Sequence, residues 1–319
     1  STSTQIRLYV YGDGSYGFWD NISVIEITDD TNLPRIDYTD GTGSLLLEPQ
    51  SSNLVTYSED FSQWNNTDIT IGENGISPTG ETNANLIQTG TANSDQVNET
   101  FTISATNTAT YSIFIKRVSG AEWVDFLVVK SGFSNSLKVW FNISSGLVGS
   151  NAANGTTTFD SASVKDFGNG WYRLKVTTTD TTNNTSFNIR VRTASADASD
   201  TRVSNSSYYL WGAQLEQKSF TTSYIPTSGS TVTRLQDVCN NAGSSDLINS
   251  TEGVLYLEAK VQSDTVFSPS CIGISDGTDA NRISIIMYGV SDNLRSNMNV
   301  GGVTQFDINL SGYGREQYY

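Results

Sequence analysis

Two tryptophans fall where outward strand faces are expected, and each has polar side chains two residues away. Trp140 lies between Lys138 and Asn142, and Trp171 is followed on its face by Arg173 and Lys175. A pyranose ring offers C–H bonds that stack on an aromatic face, while its hydroxyls take polar partners beside that face. Both constellations could therefore hold a sugar. The same side chains could instead pack beneath a loop or at a subunit contact, the favoured reading because large aromatics commonly do so. A third constellation, Asp276, Asp279 and Asn281, has the oxygen donors of a hard-cation site. Asp-Gly and Asn residues also build tight turns without any ion, which is the simpler account of it.

Other chemistries are removed by composition. The 319 residues contain no histidine and only two cysteines, Cys239 and Cys271. Ser-His-Asp and Cys-His catalysis, histidine-ligated metals and a histidine pH switch are excluded together. Two thiols cannot build an all-thiolate zinc site or a disulfide scaffold, and both are expected to be unpaired. Lys and Arg number 18 against 33 Asp and Glu, a net charge of −15, so nucleic acid and anionic membranes are poor partners. No apolar run approaches the ~18 residues of a membrane span. Paired carboxylates could run a glycosidase, but no pair is marked by position, and the expectation is a protein that is not an enzyme. The glycines at 12–14 and 40–43 are followed by no Lys-Ser/Thr or helix pattern and read as hairpin turns, not phosphate loops.

The elements that must position the tryptophans read as strands. Residues 111–117 place Tyr111, Ile113 and Ile115 on one face. Leu137, Val139, Phe141 and Ile143 alternate with Lys138, Trp140 and Asn142; Tyr172, Leu174 and Val176 alternate with Trp171, Arg173 and Lys175. Residues 123–130 are apolar on both faces toward their end, as a central strand would be. Turn clusters such as 150–155 and 167–170 separate these runs. Helical periodicity is nearly missing. An all-β protein of tandem antiparallel sandwiches is expected.

A short internal repeat supplies a domain plan. Residues 5–26 and 188–216 share the same style of strand, loop and strand, the second ending in Leu210-Trp-Gly-Ala-Gln-Leu-Glu216. Residues 1–32 are then the C-terminal strands of an upstream module, 33–49 a connector, 50–228 a complete sandwich and 229–250 a linker. The stretch 227–233 reads as part of that linker or as an edge strand. A last block, 251–319, begins with a strand at 253–261 and is thin for a whole sandwich. The chain starts at Ser1 and runs directly into a strand pattern, so a piece of a longer polypeptide is expected.

Three stretches carry a family resemblance: 34–50 with 53–64 (Asn53-Leu-Val-Thr-Tyr-Ser-Glu-Asp-Phe-Ser-Gln-Trp64), 170–174 with 210–216, and Ser223-Tyr-Ile-Pro-Thr-Ser-Gly-Ser-Thr-Val-Thr-Arg234. Together, over about 34–234, they resemble the carbohydrate-binding-like jelly-roll modules of bacteriophage tail fibres, tail spikes and head fibres. Residues 252–305, with 273–278 and 281–284, look like the first half of a concanavalin A-like (laminin G-like) sandwich. The resemblance implies a modular fibre or head-decoration protein on the virion exterior that adheres to a host cell-surface glycan. It also implies other virion proteins as partners, a homotrimer, and no nucleic-acid binding or membrane insertion. A ligand-free structural spacer or capsid cement, and the accessory module of a polysaccharide-degrading enzyme, are the alternatives. The family further implies a structural calcium ion. Glu59 and Asp60 match its first-strand ligands and Asp20 matches the final-hairpin aspartate in the partial first copy, whereas Gly212 replaces that aspartate in the complete module.

Overall fold

The computed structural model describes residues 35–37, 43–103, 108–130, 134–182, 185–237, 239, 253–257, 270–288 and 293–311. The readings made for residues 1–32, including the first copy of the repeat and Asp20, lie outside them. Strands β1 (Arg35–Asp37) and β2 (Ser44–Leu46) form a short antiparallel pair, and β3 (Ser51–Asn53) follows. A single 3₁₀ turn, Phe61–Gln63, precedes β4 (Asn65–Thr67), β5 (Ile69–Ile71), β6 (Gly75–Ile76) and β7 (Thr82–Thr89). Then come β8 (Gln96–Thr102), β9 (Thr108–Ser119), β10 (Trp123–Val129), β11 (Ser136–Asn142) and β12 (Leu147–Asn154). The sandwich closes with β13 (Thr157–Asp166), β14 (Trp171–Asp180), β15 (Ser186–Ala194), β16 (Ser207–Glu216) and β17 (Val232–Arg234).

These strands make two antiparallel sheets. One has six strands in the order β12-β11-β10-β15-β8-β4; the other has seven, β13-β14-β9-β16-β7-β5 with β6 alongside β7. Neighbours such as β10 and β15, or β9 and β16, are far apart in sequence, because the chain passes repeatedly from one sheet to the other. The period-2 alternation decides which side chains meet between them. Tyr111, Ile113 and Ile115 from β9 and Leu174 and Val176 from β14 share one core with Phe126, Leu137, Val139 and Phe141 from the opposite sheet. The Tyr111 and Phe126 rings bridge the sheets at 5.5 Å, and Phe126 continues to Phe141 at 5.1 Å. Strand β10 stands inside its sheet between β11 and β15, as its apolar faces predict.

Of the two readings of 227–233, linker or edge strand, the structure takes the strand at Val232–Arg234: β17 pairs with β3 in the register Val232↔Asn53 to Arg234↔Ser51. The same junction is pinned at Glu48 and Asp237, where Asp237 N–H donates to Glu48 O and Glu48 N–H donates to the Asp237 carboxylate. The chain therefore enters and leaves the sandwich at one place. Residues 253–257 form no strand, and 258–261 lie outside the described residues.

The last strands are β18 (Ser270–Ser275), β19 (Arg282–Tyr288), β20 (Asn293–Val300) and β21 (Val303–Ser311), an antiparallel meander. Its register places Ile272, Ile274, Ile283, Ile285 and Ile308 on one face and Ser284, Arg295, Asn297 and Asp307 on the other. Among the described residues no helix is long and apolar enough to cross a membrane. Cys239 and Cys271 are both unpaired thiols.

Candidate functional site

Trp140 points away from the core on β11, on the outer face of the six-stranded sheet, because Val139 and Phe141 on either side of it point inward. The sequence reading expects an outward tryptophan, and the direction is right. Of its two readings, an open sugar-binding face or packing beneath a loop, the structure takes the second: Trp140 is 4% exposed. The connection between β15 and β16 folds over it. Trp140 Nε1 donates to Ser199 O at 2.9 Å, the Lys138 ammonium lies over its ring at 5.8 Å, and Lys138 pairs with Asp200. Asn142 turns its side chain to cap the next turn, accepting from Ser144 N and Ser145 N.

That strap is fastened by a buried charge. Asp125, fully buried on β10, accepts from Arg192 Nε at 2.7 Å and from Arg202 Nη1 at 2.8 Å. Arg202 also donates to Thr193 O, and Asp95 accepts from Thr193 N–H and Oγ1. Burial raises the Asp95 pKa, opposed by those hydrogen bonds. The network holds the strap closed over Trp140.

Trp171 belongs to the other sheet, on the outer face of β14. It is 3% exposed and packs with Ala84, Phe114 and Trp211 in a second, smaller apolar cluster. Its Nε1 donates to Ile76 O, and its ring lies 6.4 Å from that of Tyr209. The two tryptophans thus occupy separate sheets, so they cannot line a shared face. Arg173 is also drawn in. Its guanidinium lies 5.3 Å from the Phe114 ring and donates to Ser112 Oγ and Thr222 O. Burial lowers its pKa, with the negative charges of Glu216 and Glu48 opposing.

The exposed aromatic of the sandwich is Phe167, a residue not singled out as a site from the sequence. It is 43% exposed and, among the described residues of 43–237, the one aromatic side chain standing open to solvent. It sits in the turn joining β13 to β14, where Gly168, Asn169 and Gly170 all have left-handed φ angles of 77°, 52° and 79°. Phe167 N–H donates to Trp171 O and Trp171 N–H to Gly168 O, while the Asp166 carboxylate accepts from Gly168 N–H. The turn is closed from within, and it holds the ring edge-on against Phe114 at 4.8 Å. Lys165 Nζ lies 5.4 Å from the Phe167 ring, and the Lys116 side chain runs beside Gly170. The available signal was the placement of an aromatic at the head of a Gly-Asn-Gly turn, which no strand face can bury.

The carboxylates expected to hold calcium are otherwise engaged. Asp60 caps the 3₁₀ turn, accepting from Ser62 N and Ser62 Oγ. Glu59 accepts from Tyr224 Oη and from Asn83 Nδ2, both at 2.9 Å, and the same Asn83 amide reaches Glu81. An N–H donor thus fills the space between two carboxylates. Gly212 has φ +62°, and a Cβ there would come within 2.9 Å of the Phe114 ring, so packing requires glycine where the family's aspartate would stand. Among the described residues no three acidic, cysteine or histidine side chains cluster. This donor set does not fit calcium. Excess chelator is expected to leave the melting temperature unchanged, whereas removal of a stabilising ion would lower it by about 4 °C or more. The Asp276 turn is likewise internally satisfied: the carboxylate accepts from Thr278 and Asn281, and Asp279 pairs with Arg282.

No protein-family model matches the chain, and no curated protein does. Solved structures give distant alignments. The CBM22-1–GH10 modules of endo-1,4-β-D-xylanase 10B from Clostridium thermocellum, complexed with xylohexaose, align at TM-score 0.32 and 12% identity over 56% of this chain. The alignment covers 30% of the xylanase chain, well under its full length. The mannan-recognising module TmCBM27 aligns at TM-score 0.29 and 16% identity, covering 54% of this chain and 98% of that one. The baseplate tripod of bacteriophage Tuc2009 aligns at 0.24 and 11% identity, over 82% and 96%. All three scores lie below 0.5, and the site described above rests on this chain's own geometry.

Proposed function

We propose that the chain is a segment of a bacteriophage virion fibre or head-decoration protein, that it is not an enzyme, and that its complete sandwich adheres to glycans of the host surface. The observation that carries the adhesive role is the Phe167 turn: an internally hydrogen-bonded loop presenting one partly exposed aromatic ring, with Lys165 over the ring and Lys116 beside Gly170, on an otherwise well-covered sandwich. A sugar ring can stack on that ring without any cleft, which suits a weak site. Many copies on a particle, as in a homotrimeric fibre, then raise the overall affinity through effective concentration. The phage setting is supported by the motif order across 34–234, and the module's single attachment point at Glu48 and Asp237 suits a unit that hangs from a fibre.

One observation favours the ligand-free spacer reading: Trp140 and Trp171 are both covered by protein, as a module with no sugar to bind would have them. A glycan array probed with the full chain separates the two. Adhesion predicts binding that weakens at least tenfold in Phe167→Ala while the melting temperature moves by no more than about 2 °C, as for an exposed substitution. A blank array at high avidity would leave the spacer.

A further inference from the structure

Among the described residues no second sheet packs over the apolar face of the meander β18–β21. One row across its four strands reads Ile274, Ile283, Met298 and Phe306, and the two rows beyond it break the apolar run only at Ser296 and Ser270. On the two edge strands the side chains of this face stand open: Ile272 is 38%, Ile274 40%, Ile308 52% and Leu310 45% exposed. Charge is kept off it. Arg282, Arg295 and Asp307 belong to the opposite face, where Arg295 pairs with Asp307. Asp276 and Asp279 lie in the turn between β18 and β19. The sandwich shows what such a face requires, since each of its sheets covers the apolar side of the other at about 10 Å.

We infer that this face packs against the same face of other copies of this chain. Size decides what can cover it. Four strands about 4.8 Å apart, with β18 six residues long, give a face about 19 Å by about 20 Å. With the relief of its side chains it offers on the order of 600 Å², as much as the largest patch a monomer commonly leaves open. One added strand hides about a quarter of that width. A second sheet hides all of it, and two such faces together bury about 1,200 Å², which reaches the range of specific interfaces. No other sheet among the described residues leaves so broad an apolar face open, so the matching layer is this sheet on another copy. Charge permits the contact. Residues 270–288 and 293–311 hold three aspartates and two arginines, a net −1 of the chain's −15, so copies meet here with little repulsion. Faces meeting in a pair or around an axis of three are both buried, and sedimentation counts the copies. The inference concerns the last sheet alone and holds whether or not the sandwich binds a glycan.

The experiment follows sedimentation of the full chain over a concentration series, with an anilinonaphthalene sulfonate dye reporting open apolar surface. Association that rises with concentration is expected, with dye binding falling as the copies assemble. The pair Ile272→Glu/Ile308→Glu should weaken association at least tenfold with the circular dichroism unchanged, because both positions are open to solvent. Ser296→Lys, at a position already polar, should do the same. The pair Ile272→Leu/Ile308→Leu and the substitution Asn309→Glu, which lies on the opposite face, should both keep association. A chain that stays monomeric and binds the dye leaves the face bare and overturns the inference. A monomer that ignores the dye overturns it too, by assigning the cover to another segment of the same chain. Association indifferent to both Ile272→Glu/Ile308→Glu and Ser296→Lys places the contact elsewhere and overturns it as well. None of these results alters what the glycan array reads.

Discussion

Asn53→Leu is expected to destabilise the sandwich by about 3–5 kcal/mol, a large loss for a single polar side chain. Asn53 is completely buried on β3, and all of its hydrogen-bonding capacity is used on backbone. Its Nδ2 donates to Ala213 O at 3.0 Å and Ile225 O at 2.8 Å; its Oδ1 accepts from Val55 N and Leu215 N, both at 3.1 Å. The reason for such a residue lies in β16. There the ladder to β9 shifts register between Trp211 and Gln214, which deprives the bulged backbone of regular partners. Asn53 replaces them and ties the bulge to the start of the module and to its closing segment. Leucine has a similar size and fills the space, but it leaves four buried backbone groups unmet. Chemical denaturation of the full chain, followed by the transition of the sandwich, checks this. A loss under about 1 kcal/mol would mean that water reaches the bulge and that the latch is not closed.

Asp125→Leu should cost a comparable ~3–5 kcal/mol, by a different route. The substitution removes the carboxylate that directly bridges Arg192 and Arg202, whose side chains are only 12% and 9% exposed. Two guanidiniums would remain in poorly hydrated surroundings, where unpaired charge is expensive. Because Arg202 belongs to the strap, the damage should also be local: the strap lifts, Trp140 is wetted, and tryptophan emission moves to the red. Replacing Asp125, Arg192 and Arg202 together by leucine should recover much of the stability, since the charges leave with their partner. If Asp125→Leu shifts the emission without loss of stability, the strap is an independent flap. If neither changes, the buried pairing is not as described.

Strand faces were legible because a period of two needs only the strand itself. The inward set Leu137, Val139, Phe141 and Ile143, and the set Tyr172, Leu174 and Val176, follow from alternation alone, and each packs on the common core. What covers an outward side chain is set by distant segments. Trp140 is sealed by Ser199, 59 residues on, and Trp171 by Ile76, 95 residues back. No local pattern carries that. The partners of Glu59 were hidden for a similar reason: the residue was matched by motif position, while Asn83 and Tyr224 come from β7 and the closing segment. Residues 223–234 read as a motif in the sequence, but their pairing with β3 depends on closure of the whole sandwich. Phe167 was visible as part of a turn cluster, and the same turn chemistry that marks a loop is what leaves its ring uncovered.

The central claim is that a glycan docks on the Phe167 turn and not beneath the strap. Fluorine NMR of the full chain with its 13 phenylalanines fluorinated tests it most directly, the Phe167 signal being assigned by its loss in Phe167→Leu. On titration with a glycan that the chain binds, the account predicts that the Phe167 signal moves while those of core rings such as Phe126 and Phe141 stay fixed. A saturating glycan that leaves the Phe167 signal in place would contradict it.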